Sequence, residues 1–423
     1  MTEPTAPAPR PARETMPPIG DRLYPALRAA GMPEVPDSFS IAVEHQEIAP
    51  AILAGIDEFI RVFERVTTRT TWQDAVTAAG PAIARKRRSE VCFFSAWDFH
   101  LPPGRPDDWQ LIECNDNGSG LLFAALVNRL YYEVSGLRER GTVEAPLPFA
   151  VFAQRVAGLI RAEAEAFFRA PPSNLVLILD DRESIRTGKF RHELELLRDL
   201  CRRSGWGAEI ASPEETVWDG EHLLCRGARV SFVVNRSTDF FWEGEAFGAL
   251  CAAYRSESIF VAPNPFTYAT RSDKRLLELL STGERDEELG IRADERVVLS
   301  AHVPETRCLR PENVERLARE KDAWVFKPCH GFASRGLLSS AQVGRERLRR
   351  LAKRGDAYLA QRRVSKARLE SSEGVGLWAD LRVWAYRGER LLLSGRASRN
   401  PDSVDLASPG GWLPTYGRLP IAP

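Results

Sequence analysis

A chain of 423 residues exceeds the usual span of one domain, roughly 100–200 residues, and has room for two or three. Hydrophobic residues make up 43% and charged residues 27%, while Lys plus Arg (58) equals Asp plus Glu (58); the balance gives no electrostatic reason to expect nucleic acid or an anionic membrane as partner. The seven cysteines stand singly, with no C-x-x-C pair, no zinc spacing and no apolar run of about 18 residues in the chain, so the expectation is a cytoplasmic protein with free thiols and no membrane span.

Residues 1–20 form a Pro/Ala-rich stretch with the composition of a disordered tail. The following segment, to about Arg88, reads as helical, with AILAGIDEFIRVFERV (51–66) carrying apolar residues at helical spacing. EVCFFSAWDFHL (90–101) and WQLIECND (109–116) are strand-like and flank the turn cluster PPGRPDD, which predicts a hairpin; LLFAALVNRLYYEV then predicts a helix. A long helix is expected over 149–170. The continuous apolar run NLVLILDD (174–181) has the pattern of a parallel strand buried on both faces. A helix at 190–205 and strands at 207–211 and 229–236 extend this into a small doubly wound α/β unit over 165–270. Beyond Ser272, DKRLLELLST starts a helix, WVFKP (324–328) is a strand and GFASRG (331–336) a Gly/Ser loop. Strands follow at 356–364 and 377–386, RGERLLLSGRAS (387–398) completes a hairpin, and PGGWLPTYGRLP reads as loop.

Three segments carry chemistry. Glu113 and Asn115 project from one strand face, being two residues apart, and Asp98 lies on the partner strand of the same hairpin. Two carboxylates and an amide oxygen make a hard, all-oxygen set suited to Mg²⁺. Lys327 leaves a buried strand just before a loop in which Gly331 and Gly336 permit close backbone approach; with Arg335 this is an arrangement for nucleotide phosphates, although the order differs from a P-loop. Asp380 and Arg382 share a strand face, and Arg396 and Arg399 lie on the return strand and its end, as a clamp for phosphoryl or carboxylate oxygens would require. Each segment also has a plainer reading: a solvated hairpin, a strand-to-turn lysine, cross-strand ion pairs. No H-E-x-x-H, G-x-S-x-G or G-x-G-x-x-G occurs, the six histidines are dispersed, and His330 has no carboxylate partner in view, so it reads as a loop histidine.

Taken together, these segments resemble the ATP-grasp superfamily, in which the lysine strand and glycine loop come first, a D-x-R hairpin follows, and an Asp…Glu-x-Asn metal hairpin comes last. Here Asp98…Glu113-x-Asn115 stands near the N-terminus instead. That order is similar to the circularly permuted ATP-grasp families, among them relatives of glutathionylspermidine synthetase. IECNDNGSGLL, VVNRSTDFF and APNPFTYATRSDKRLLELL add to the likeness, which covers most of the chain from about Cys92 onward.

The resemblance implies an α/β, circularly permuted ATP-grasp fold with an accompanying small doubly wound domain. Residues 21–164 would hold the helical segment and the permuted metal-binding part, 165–270 the small α/β domain, and 271–423 the nucleotide-binding part. It further implies ATP and Mg²⁺ as cofactors. Asp98, Glu113 and Asn115 would hold metal, and Lys327 would bind the α/β-phosphates. Lys274 falls at the earlier nucleotide-contacting lysine, Gly331, Ser334 and Gly336 form the lid, Gln361 to Val364 line the adenine site, and Arg382 and Arg396 neutralise the γ-phosphate and acyl-phosphate. PGGW (409–412) is similar to a Gly-Gly substrate loop. Two departures stand out: Gln361-Arg362-Arg363 replaces an acid common at the hinge, and NDNGSG replaces a Gly-Gly ending. The activity implied is that of a carboxylate–amine ligase working through an acyl-phosphate on small-molecule or peptide substrates. An inactive ATP-binding scaffold and a phosphotransferase on the same fold stay open, as does a homodimer; nucleic acid and membrane are not expected partners.

Overall fold

The computed structural model describes residues 18–32, 40–331, 336–354, 357–371, 374–402, 404 and 406–420. Residues 1–17 of the expected tail, and Ser334 and Arg335 of the Gly/Ser loop, fall outside them; Ile19 opens a helix running to Ala29. The chain is a mixed α/β protein, and among the described residues no helix is long and apolar enough to cross a membrane.

The central sheet has six antiparallel strands. Its path runs Gly411–Leu413, Glu389–Ser398, Gly376–Tyr386, Ala96–His100 and Gln110–Asn115, with Ala367–Glu370 paired at the far end of Gly376–Tyr386. The hairpin read near the N-terminus and the hairpin read near the C-terminus are therefore neighbours in one sheet, with Arg382 in register with Asp98. Alternation along Gly376–Tyr386 explains the layering. Leu381, Val383 and Ala385 pack with Ile56, Phe59 and Phe63 of the helix Pro50–Thr67 on one face. Trp384, from the opposite face, joins Leu121 and Phe123 of the helix Leu121–Val134. The register shifts between Asp98 and Phe99, leaving Ile112 as an extra residue between Leu111 and Glu113.

A second six-stranded sheet carries parallel strands in the order Ala208–Ala211, Leu175–Leu179, Ala228–Asn235, Phe260–Ala262, plus the antiparallel pair Thr216–Trp218 and Leu223–Cys225. Both faces are covered. Val176, Ile178, Phe232 and Val234 face the helices Phe149–Phe168 and Arg191–Arg203, while Leu177, Leu179, Val233 and Val261 face the helix Gly248–Arg255. This is why NLVLILDD shows no alternation of its own.

A three-stranded antiparallel sheet places Tyr358–Arg362 between Thr306–Cys308 and Trp324–Pro328. Trp324, Phe326 and Ala360 pack with Leu317 and Leu348 of two short helices, which leaves Val325 and Lys327 on the opposite face. The C-terminal segment departs from the loop reading. Gly411–Leu413 joins the central sheet, and Thr415–Gly417 pairs in parallel with Gln46–Ile48. Strands of three residues are too short to show a pattern; the ladder of a distant partner makes them extended.

Candidate active site

A cavity of about 710 Å³ lies between the three-stranded and central sheets and continues to the C-terminal ends of the parallel strands. Asp98, Glu113, Asn115, Lys274, Lys327, Gly331, Val364, Arg382 and Arg396 all line it. Gln361, Gly336 and Arg399 are not among the residues that line it.

The hairpin Ala96–Asn115 sets its acids opposite each other, Asp98 against Glu113. Asp98 is buried and accepts a bidentate pair from Arg382 (Nε 2.6 Å, NH2 2.7 Å) and a further bond from Arg396 (2.9 Å). Burial pushes its carboxyl up, but the two guanidinium groups outweigh this and hold it below the usual carboxylate range. Glu113 is likewise lowered: burial opposes ionisation, and Lys274, 3.3 Å from its carboxylate, overcomes it. Asn115 donates to Glu113 at 3.1 Å. Both acids are thus ionised, and among the described residues no group of three or more His, Cys, Asp and Glu side chains is gathered for a metal. Two carboxylates with one amide oxygen fit Mg²⁺, which keeps water and phosphate in its shell, better than zinc.

Facing the hairpin, Lys327 donates to the Ile112 carbonyl (3.1 Å) and to Gln361 Oε1 (2.8 Å). The Ile112 carbonyl is free to accept because the bulge removes that residue from the ladder. Burial, with Lys274 nearby, brings the Lys327 ammonium down to about 8, although Glu113 and Asp98 pull the other way. Lys274 also donates to the Gly331 carbonyl at 2.6 Å. At the other stem of the loop, Tyr358 OH donates to the Gly336 carbonyl at 3.2 Å, and Gly336 holds φ +74°, a conformation open to glycine. His330 has a tyrosine as its neighbour, with Nδ1 3.0 Å from Tyr268 OH.

On the D-x-R hairpin, Asp380 anchors Arg396 through Nε (3.0 Å) and NH2 (2.7 Å). Gln361 is buried and spent on Lys327 and Ile112. Val364 gives its carbonyl to His100, whose Nδ1 lies 2.9 Å away. Burial takes the His100 imidazole down to about 4, helped by the charge of Lys366, so the ring is neutral near pH 7. His100 and the buried Lys366 both line the cavity, and neither was singled out as a site residue from sequence. The available signal for His100 was its position two residues from Asp98 on a regular strand; Lys366 sits in an irregular stretch with no such signal.

The far lobe was missed altogether. Asp180, Asn235, Arg236 and Asn264 follow three parallel strands at their C-terminal ends, where open α/β sheets bind ligands. Arg236 is only 4% exposed and pairs with Glu193 at 3.3 Å. Glu193 in turn accepts from the Gly120 and Leu122 amides, capping the helix Leu121–Val134. Burial raises the Asp180 carboxyl to about 7. The glycines of NDNGSG and PGGW serve close packing: a Cβ on Gly118 would lie 2.0 Å from the Phe94 carbonyl oxygen, and one on Gly410 2.3 Å from that of Ala397. Trp412 of PGGW lines the cavity.

No family model matches the chain, and no curated protein matches it in sequence. Among solved structures, a glutathione synthetase-like effector of Globodera pallida in its apo form superposes with a TM-score of 0.54, covering 95% of this chain and 98% of that one at 10% identity. A candidate gamma-glutamylcysteine synthetase of Methylobacillus flagellatus gives a TM-score of 0.46 at 11% identity, covering 84% and 85%. The first establishes likeness of fold along nearly the whole length of both chains.

Proposed function

We propose that this protein is an ATP- and Mg²⁺-dependent carboxylate–amine ligase built on a circularly permuted ATP-grasp fold. One observation carries the reading. Asp98 and Arg382, 284 residues apart in sequence, are paired in one sheet, and Lys327 faces their hairpin from a separate sheet across the cavity. An oxygen-donor hairpin, a D-x-R hairpin and a lysine strand thus surround one space, which supports reading their chain order as a permutation.

In this reading Asp98, Glu113 and Asn115 hold the metal, which supplies charge neutralisation at the phosphates when bound. Lys327 and Lys274 bind phosphate oxygens as point charges, and Arg382 and Arg396 neutralise the oxygens of the group in transfer. A substrate carboxylate oxygen forms a bond to the γ-phosphorus while the bond to the bridging oxygen breaks, so ADP leaves and an acyl-phosphate remains. An amine nitrogen then bonds to the acyl carbon, phosphate departs, and the amine proton is released. The catalytic contribution is positioning and electrostatic preorganisation in a water-poor site. The far lobe, with Asp180 at a strand end, is where acid and amine would sit.

The test is ADP release, with Mg²⁺, across panels of amino acids, small peptides and polyamines, with mass analysis of the product. The expected result is an amide together with ADP and phosphate, abolished by a chelator. Lys327→Ala should lower turnover on the order of 100-fold or more. Unchanged turnover in a folded Lys327→Ala protein sinks the assignment, and a stable phosphorylated product would mark a phosphotransferase instead.

A further inference from the structure

His100 occupies a defined place between the two ends of the nucleotide half of the cavity. The strand Ala96–His100 is regular, so Asp98 and His100 share a face, and both line the cavity while Phe99 packs in the core behind. At one end of this stretch is the Asp98 and Glu113 hairpin faced by Lys327; at the other is the hinge around Val364. A nucleotide with its phosphates at the first and its base at the second puts its sugar beside His100.

The hydrogen bonding of the ring fixes what it can offer. A backbone carbonyl only accepts, so Nδ1, 2.9 Å from the Val364 oxygen, carries the ring proton. With Nδ1 committed as donor, Nε2 is the ring nitrogen left to accept, and among the described residues it has no hydrogen-bond partner. The side chains of hinge residues 361–363 leave no free acceptor for a hydroxyl. Gln361 Oε1 is taken by Lys327, and Arg362 and Arg363 are donors, paired with Glu305 and Glu320 and with Asp402.

We propose that His100 reads the ribose: Nε2 accepts a hydrogen bond from a sugar hydroxyl of the bound nucleotide. The inference rests on the nucleotide reading of the cavity and adds the residue that distinguishes ribonucleotides. Val364 acts through its carbonyl as the group that sets the tautomer.

The experiment is calorimetric titration of the full-length chain, in Mg²⁺, with ATP, 2′-deoxy-ATP and 3′-deoxy-ATP, on the wild type, His100→Ala and His100→Gln. The wild type should bind one of the deoxynucleotides roughly 3- to 10-fold more weakly than ATP, the effect of one hydrogen bond. His100→Ala should bind ATP and that analogue equally, and His100→Gln, whose amide oxygen can accept, should restore part of the preference. Asp402→Ala, which removes the carboxylate held by Arg363, should leave the ratio as in the wild type. Wild-type protein that treats the three nucleotides alike overturns the proposal, as does a His100→Ala variant that keeps the full ratio. Wild-type protein that binds none of them overturns the nucleotide reading itself, a result distinct from either.

Discussion

If the cavity binds a nucleotide as proposed, Lys327 is the residue whose state most directly sets the affinity. It is buried, shares its surroundings with Lys274, and sits near 8 rather than at the ordinary lysine value. The sign follows from the charge it must carry. As pH rises through about 8, the empty protein loses the ammonium, and with it a phosphate ligand. Affinity for MgATP, measured by titration between pH 6.5 and 9.5, should therefore decline above about 8. Lys327→Arg keeps its charge throughout this range and should flatten that decline, whatever it does to affinity overall. An unchanged decline in the arginine variant assigns it to another group.

At the level of elements, glycines separate positions where backbone closeness is required from those where it is incidental. Gly118 lies beneath Trp384, whose indole donates to the Gly118 carbonyl at 3.1 Å, and an added Cβ would meet the Phe94 carbonyl oxygen at 2.0 Å. Gly118→Ala should cost about 3 kcal/mol or more in urea unfolding, since backbone must move to admit the methyl. Gly158 lies exposed within the helix Phe149–Phe168 with nothing within 4 Å of its added Cβ. Gly158→Ala should stabilise by about 0.5–1 kcal/mol. The same contrast describes what could be read in advance. Helices with long apolar stripes, such as Pro50–Thr67 and Leu121–Val134, and strands with several buried residues, such as Trp324–Pro328, stand within a residue or two of their expected bounds. Gln46–Ile48, Thr306–Cys308 and Thr415–Gly417 were invisible because each has three residues and is extended only through its pairing partner. Asp98, Glu113, Lys327, Asp380, Arg382 and Arg396 do share one cavity, since i and i+2 spacing on a strand determines facing without knowledge of the fold, whereas Arg399, past the end of its strand, is exposed and does not line it. The bulge at Ile112, the carbonyl partner of His100 and the lobe around Asp180 depend on pairings across tens to hundreds of residues, which local pattern does not encode.

On the scale of the whole molecule, Trp412 joins units that are far apart in sequence. It is 1% exposed, meets Phe123 of the helix Leu121–Val134 and Phe190 beside the parallel sheet edge-on, and lies near Trp384 of the central sheet. Its backbone amide donates to the Ser40 carbonyl and its carbonyl accepts from Ala42, tying the last strands to the first described segments. Trp412→Ala should cost about 3–5 kcal/mol in urea unfolding. A loss below about 1 kcal/mol would show that the units dock without this side chain.

The pairing of Asp98 with Arg382 also governs the order in which the protein can be made. The partners are 284 residues apart, and at roughly 5–20 residues added per second the second emerges some 15–60 s after the first. During that interval the strand Ala96–His100 has left the ribosome with one edge unpaired, while the parallel sheet within residues 175–262 already has every strand it needs. The small α/β unit thus completes first, and the hairpin bearing Asp98 and Glu113 stays an open template for foreign strands until the C-terminal hairpin arrives. Translation that stalls between these two points should yield an aggregation-prone nascent chain.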